Sequence, residues 1–192
     1  MRAYYDRRSG EYDDWWQGTG RFADRDRPGW DEDVAGLCEA LRALPPARTV
    51  DLACGTGFLT RFLPGVLTGV DQSEGMLAIA RERRPDAAFV AADALAFTTA
   101  GFKRVFTAHF YGHLDEAQQE RIRAVESELV VVDSAFRGVA EEWQERVLND
   151  GSRHRVYKRW FTAADLAAEL GGGEVLYDGP WFVALVRAGA AQ

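Results

Sequence analysis

The sequence predicts an α/β protein: a doubly wound, seven-stranded, mostly parallel sheet with one antiparallel strand in a C-terminal hairpin. Three observations predict it. Short apolar runs alternate with helix-spaced segments along most of the chain. The first run, VDLA at 50–53, opens directly onto the glycine-rich turn CGTG. The last run, EVLYDGPWFVALVRA, is broken at Asp178-Gly179 by a hairpin signal that a purely parallel sheet would not supply.

The elements follow in order. VDLA at 50–53 and VLTGVD at 66–71 have the apolar continuity of strands buried on both faces, and between VLTGVD and AAFVAAD at 87–93 Met76, Leu77 and Ala80 have helical spacing. A fourth strand runs from Phe102 to Phe110, a polar helix covers 115–128, and LVVVDSAF at 129–136 is a fifth strand. Thr162 is a good N-cap for TAADLAAEL, which Gly171 to Gly173 stop. The two runs around Asp178-Gly179 then make a hairpin, so one antiparallel edge strand is expected. Such alternation implies right-handed crossovers.

Composition limits the function classes. A chain of 192 residues, 47% hydrophobic, buries one sizeable core, and the reading is a single domain over 1–192. The net charge of −7 argues against a nucleic-acid partner, because neutralising phosphates needs a concentrated basic surface. No apolar run approaches a membrane span and the N-terminus is too polar for a secretory signal, so a soluble cytoplasmic protein is expected, a monomer or homodimer. Cys38 and Cys54 are too few for a disulfide framework or a zinc knuckle.

The glycine-rich turn between a strand and a helix can hold a dinucleotide, a phosphate or S-adenosylmethionine, because glycine lets the backbone approach a ligand and the helix start offers free N–H groups. Spacing separates these. A dinucleotide fingerprint wants a third glycine where Thr60 stands, and no Gly-Lys-Ser/Thr ending for a phosphate loop follows Gly57. What remains is Asp51 before the turn, Asp71 ending the second strand and Asp93 ending the third. In doubly wound sheets ligands bind beyond the carboxyl ends of the strands, where the strand order reverses.

With VDLACGTGFLT at 50–60, GVDQSEGMLAIAR at 69–81 and AADAL at 91–95, the chain resembles the class I S-adenosylmethionine-dependent methyltransferases, and the small bacterial members similar to the ubiquinone/menaquinone methyltransferase group in particular. The likeness runs from about Tyr4 to Val186. It implies the Rossmann-like methyltransferase fold, S-adenosyl-L-methionine as cofactor with S-adenosyl-L-homocysteine as product, and methyl transfer to a small-molecule acceptor. Asp71 is placed to take the ribose hydroxyls as charge-assisted hydrogen bonds. Asp93 and the backbone of Ala94 would meet the adenine edge, and Met76 its face. Asp51 and the turn formed by Ala53, Cys54, Gly55, Thr56 and Gly57 would hold the methionine end, with Gln72 and His109 completing the cofactor contacts. Ala53 stands where many members carry glycine.

On the acceptor side, residues 4–22 gather Tyr4, Tyr5, Tyr12, Trp15, Trp16 and Phe22, and residues 1–30 are expected to form a helical lid. Tyr12, Trp16 and Tyr111 are the candidate acceptor contacts, the aromatic segment pointing to an apolar or aromatic acceptor. His113 is the candidate catalytic residue, a base for an acceptor hydroxyl or amine. His109 and His113 lack a third ligand, so no metal is expected. No Asn-Pro-Pro-Tyr or Asp-Pro-Pro-Tyr sequence, which would mark a planar amino acceptor, follows the fourth strand. Two other classes fit less: a cofactor-binding protein that catalyses a different reaction or regulates a partner, and a divergent dinucleotide oxidoreductase.

Overall fold

The structure is a computed structural model and describes residues 2–189; Met1, with which the lid expectation begins, lies outside the described residues. Three short helices come first: α1 (Arg2–Arg8), α2 (Asp14–Gln17) and α3 (Trp30–Arg42). The strands and helices that follow are β1 (Ala47–Leu52), β2 (Gly65–Asp71), α4 (Glu74–Arg83), β3 (Ala88–Ala91), β4 (Arg104–Ala108), α5 (Glu116–Arg123) and β5 (Glu128–Ser134). The chain ends with β6 (Glu141–Val147), β7 (Arg153–Arg159), α6 (Ala163–Glu169), β8 (Glu174–Asp178) and β9 (Phe182–Arg187).

Seven strands form one sheet in the order β3-β2-β1-β4-β5-β9-β8. From β1 the chain winds outward through β2 and β3, then returns to lay β4 and β5 on the other side, so the order reverses between β1 and β4. All contacts among β1 to β5 are parallel, and β9 pairs antiparallel with both β5 and β8. The antiparallel strand is therefore not the edge strand expected from the hairpin. It lies second from the edge, because the C-terminal strand inserts between β5 and its own hairpin partner.

Strand alternation divides the core in two. Leu129 and Val131 of β5 join Ile122 of α5 and Leu166 of α6 on one face, while Val130 and Val132 join Leu37 and Leu41 of α3 on the other. Helix starts are sealed by side chains, as expected for Thr162. Ser73 accepts from the Met76 N–H, Asp115 and Gln118 form a capping box, and Thr162 accepts from the Asp165 N–H. Asp33 fastens α3 to the C-terminal hairpin by accepting from the Tyr177 hydroxyl at 2.7 Å and from the N–H groups of Trp181 and Phe182 at 2.9 and 3.1 Å.

Helix α3 and the separate two-stranded hairpin β6–β7 add to the predicted elements. The hairpin follows β5 and covers the carboxyl ends of the strands together with α1. Tyr4, Leu148 and Val156 are buried between them with Tyr5 packed alongside, and the Tyr4 ring lies 4.7 Å from that of His154. Helix α1, short and without a core of its own, is held by this third apolar cluster.

Candidate functional site

The turn after β1 is the base of the site. Ala53, Gly55 and Gly57 have φ of 61°, 54° and 70°. Glycine takes these values freely, while Ala53 is strained by about 1–3 kcal/mol. The turn is tied to β2 by a Cys54 N–H donating to Val70 O at 3.0 Å. Asp71 ends β2 and accepts from the Gly55 N–H and the Ser73 N–H, each at 2.9 Å, so one carboxylate holds the turn against the start of α4. Burial raises its pKa, and those backbone donors pull it back.

Asp51 lies deeper. Thr60, standing where a dinucleotide fingerprint has glycine, donates its hydroxyl to Asp51 Oδ2. Asp51 Oδ1 is buried without a partner. Burial pushes this carboxyl up to about 7, with the Thr60 bond opposing and the Asp71 charge assisting. A buried acceptor lacking a donor is costly unless a ligand supplies one.

The N-terminal segment closes over this turn. Asp13 accepts from the Thr56 hydroxyl at 2.7 Å and pairs with Arg83, which also donates to Thr56 O at 2.8 Å. A Cβ on Gly55 would meet the Tyr12 ring at 3.7 Å. Trp16 stacks on Phe58 with centroids 4.3 Å apart and planes 8° apart. Both sides of the turn are thus covered by the segment read as a lid.

His109, one residue beyond β4, faces the same space across the point of strand reversal. Its φ is 52°, unusual for a residue with a side chain. Nδ1 lies 3.4 Å from Ser134 Oγ and 3.8 Å from Asp133 Oδ1, and Nε2 is buried without a partner. Burial lowers the pKa of the ring, with Asp133 opposing. The imidazole is therefore neutral at pH 7. With a proton on Nδ1 toward Ser134 and Asp133, Nε2 is the free acceptor. Asp133 in turn accepts from the Gly112 N–H at 2.7 Å and the Ser134 N–H at 2.8 Å, and pairs with Lys158 of β7.

Tyr12, Trp16, Asp51, Ala53, Thr60 and His109 together line a cavity of about 20 Å³, near the volume of one water and far below the roughly 300 Å³ at which ligand pockets begin. The acceptors fit S-adenosylmethionine: an orphaned carboxylate oxygen for an ammonium and a fixed carboxylate at the end of β2. The space fits it only with Tyr12 and Trp16 displaced.

Of the other predicted residues, Cys54 and Thr56 also line this cavity, while Asp93, Gln72, Met76, Tyr111 and His113 do not. Asp93 is exposed and accepts from the Leu95 N–H at 3.0 Å, and Ala94 beside it is buried. Gln72 is exposed, and Met76 is fully buried in α4. Burial raises the Cys54 thiol well above its ordinary pKa. Tyr111 is a core residue whose hydroxyl accepts from Arg123 at 2.9 Å. The structure does not bring His113 to His109. Its Nδ1 is bonded to Tyr157 O, and it lines an open groove of about 910 Å³ between α5 and the outer face of the β6–β7 hairpin, with Asp115, Trp143 and Tyr157. Among the described residues no group of His, Cys, Asp and Glu has the arrangement of a metal site, and no helix is long and apolar enough to cross a membrane.

Sequence reasoning missed Asp133 and Lys158. Asp133 ends the fifth strand as Asp51 and Asp71 end theirs, so the same rule would have found it. Lys158 lies on the hairpin, whose signal was Asn149-Asp150-Gly151 between two mostly charged runs that each hold one valine and one aromatic residue.

Residues 49–131 match the family model described as Methyltransferase domain. Over 79 residues the chain is 42% identical to a trans-aconitate 2-methyltransferase of Methylobacterium nodulans, covering 38% of this chain and 29% of that protein. Over 72 residues it is 46% identical to a demethylmenaquinone methyltransferase of Beutenbergia cavernae, covering 35% and 30%. The chain thus spans about 30% of the length of these curated relatives. A solved structure titled DhpI-SAH complex superposes with a TM-score of 0.74 at 27% identity, covering 98% of this chain and 95% of that one. The CcbJ methyltransferase of Streptomyces caelestis shares the fold at a TM-score of 0.63 and 18% identity, covering 98% of each chain.

Proposed function

We propose that the chain is a class I S-adenosylmethionine-dependent methyltransferase with S-adenosylmethionine as its cofactor, and that it methylates a small molecule with His109 as the base. The observation that carries this is the unpartnered His109 Nε2, buried in the same cavity as the orphaned Asp51 Oδ1.

Asp71 would hold the ribose, Asp93 and the Ala94 backbone the adenine, and Asp51 with the Gly55 turn the amino-acid end. When bound, the cofactor supplies an electrophilic methyl group on a sulfonium. His109 Nε2 would accept the proton that the acceptor hydroxyl or amine gives up on methylation. Ser134 and Asp133 keep the imidazole turned for that task. Tyr12 and Trp16 close the cavity, which excludes water and holds the reacting atoms in line. His113, bonded to the hairpin backbone, shapes the loop and has no part in this reading.

The test is incubation with methyl-labelled S-adenosylmethionine and fractionated small-molecule extracts. Label entering an extracted compound with equal release of S-adenosylhomocysteine is expected. A protein that binds S-adenosylhomocysteine yet transfers label to no fraction would be a binding protein, and the transfer reading would fall.

A further inference from the structure

The cap over the site carries two cations that have no carboxylate partner among the described residues. Arg8 of α1 is 9% exposed; it donates to the Tyr4 hydroxyl at 2.6 Å and its guanidinium lies 4.9 Å from the Tyr12 ring centroid. Arg146 of β6 is half-buried and donates to Gln144 Oε1 at 3.1 Å. Neither has a carboxylate within ion-pairing distance among the described residues, although the chain holds 30 acidic side chains against 23 basic ones. Lys158, third of the buried or half-buried cations here, is already matched by Asp133.

The two arginines reach the same place from different elements. In the hairpin register Arg146 faces His154 and Glu142 faces Lys158, which puts Arg146 and the buried Lys158 on the inner face of the hairpin. The His154 ring packs on Tyr4, and Tyr4 accepts from Arg8. The charges of both arginines act on Tyr5 and Tyr12, and that of Arg146 also on His109. Below them, the cofactor side is acidic, with Asp51 and Asp71. A sulfonium beside two unpaired guanidiniums would be repelled, and an anion between them removes that cost. A guanidinium fork also matches an oxyanion in geometry.

We propose that the methyl acceptor is a small oxyanion, a carboxylate or a phosphonate, held between Arg8 and Arg146 under the cap. This rests on the methyltransferase reading and narrows its substrate class. The anionic group anchors the molecule while a separate hydroxyl or amine faces His109. It also replaces the apolar or aromatic acceptor suggested by the aromatic segment, since Tyr4, Tyr5 and Trp16 spend their faces on one another, on the hairpin and on Phe58.

The full chain is titrated first with S-adenosylhomocysteine and then, with and without it, with succinate, ethylphosphonate and uncharged succinamide, at fixed ionic strength. Binding of at least one anion and not of succinamide is expected, the preferred anion showing which oxyanion the clamp takes. Arg146→Gln should weaken that anion by about 10- to 100-fold, the loss of a charge-assisted bond, and leave S-adenosylhomocysteine binding unchanged. Arg8→Gln should act likewise, but Arg8 also packs on Tyr4 and Tyr12, so Arg146→Gln decides. Absence of anion binding, equal binding of succinamide, or unchanged affinity in Arg146→Gln overturns the proposal while the methyltransferase reading stands. Arg146-dependent anion binding without any S-adenosylhomocysteine binding would leave the anion site and remove the methyltransferase reading.

Discussion

Lys158 of β7 and Asp133 of β5 form a buried ion pair that joins the covering hairpin to the end of the central sheet. Burial alone would raise the Asp133 pKa; the Lys158 charge and the His109 ring hold it well below the usual carboxylate range. The pair binds a polar element, which has little apolar surface of its own, to the rigid part of the fold. It also fixes the carboxylate beside His109.

Lys158→Met should therefore destabilise the protein by about 3–5 kcal/mol, because it leaves an uncompensated buried charge. Adding Asp133→Asn to Lys158→Met should recover part of that loss, since no charge is then stranded. Urea titration of both variants measures this. A folded-state pKa held below the unfolded value gives stability that is present above about pH 4 and lost on acidification. Lys158→Met should flatten that acid limb, and an unchanged limb would assign acid sensitivity to other carboxylates.

Asp51 has the opposite sign. Its folded pKa, pushed up to about 7, lies above the ordinary value near 3.9. The stabilising difference is then fully present below pH 4 and is lost as pH rises to about 7. In the unliganded protein Asp51→Asn should be stabilising at pH 8 and close to neutral at pH 4. A bound ammonium needs the ionised carboxylate, so S-adenosylhomocysteine affinity should rise between pH 6 and pH 8 in the wild type and stay flat in Asp51→Asn. Calorimetry at three pH values checks it; parallel curves for the two proteins would separate Asp51 from the ligand.

His109→Gln should lower turnover by about 10²- to 10⁴-fold for a hydroxyl or amine acceptor, the usual range for a lost general base, with S-adenosylhomocysteine affinity kept within twofold or so. His113→Gln should leave turnover near wild type, because that ring is bonded to Tyr157 O on the far side of the loop. Steady-state rates of the two variants decide between the histidines. The lowered His109 pKa further predicts a rate that holds down to mildly acidic pH.

What the sequence could disclose follows the chemistry of burial. The buried stretches Val50 to Leu52, Val105 to Phe106 and Leu129 to Val132 give β1, β4 and β5 their apolar signal, and the aspartates near the ends of β1, β2 and β5 mark the ligand edge. The hairpin β6–β7 escapes that rule because its inner face carries Gln144, Arg146, His154 and Lys158, polar residues turned toward the site where pattern rules expect apolar ones. Thr60 stands where a dinucleotide fingerprint has glycine, and its hydroxyl is what holds Asp51. The two histidines four residues apart are alike in sequence. The structure separates them: His109, with φ of 52°, lines the cavity, while His113 lies in a short turn with its ring bonded to Tyr157 O.

We propose that the N-terminal segment moves to admit the cofactor, since the cavity beneath it holds about 20 Å³. It is held shut by the Asp13–Arg83 pair and the Asp13–Thr56 bond, both only partly exposed, and by Trp16 on Phe58. A closed state that cannot bind reduces apparent affinity by the fraction of molecules that are open. Weakening the latch without touching the cofactor contacts should raise that fraction, so Asp13→Asn should speed S-adenosylhomocysteine association severalfold. Gly18 and Gly20, with φ of 68° and 52°, supply the bend about which the segment can swing. Amide exchange over residues 4–22 should then be faster in Asp13→Asn than in wild type without ligand, and slow again once S-adenosylhomocysteine is bound and the segment recloses on it. Stopped-flow association and hydrogen exchange measure the two effects on the same samples. If Asp13→Asn exchanges faster but associates no faster, the cofactor enters by another route and the segment serves only to cover the acceptor.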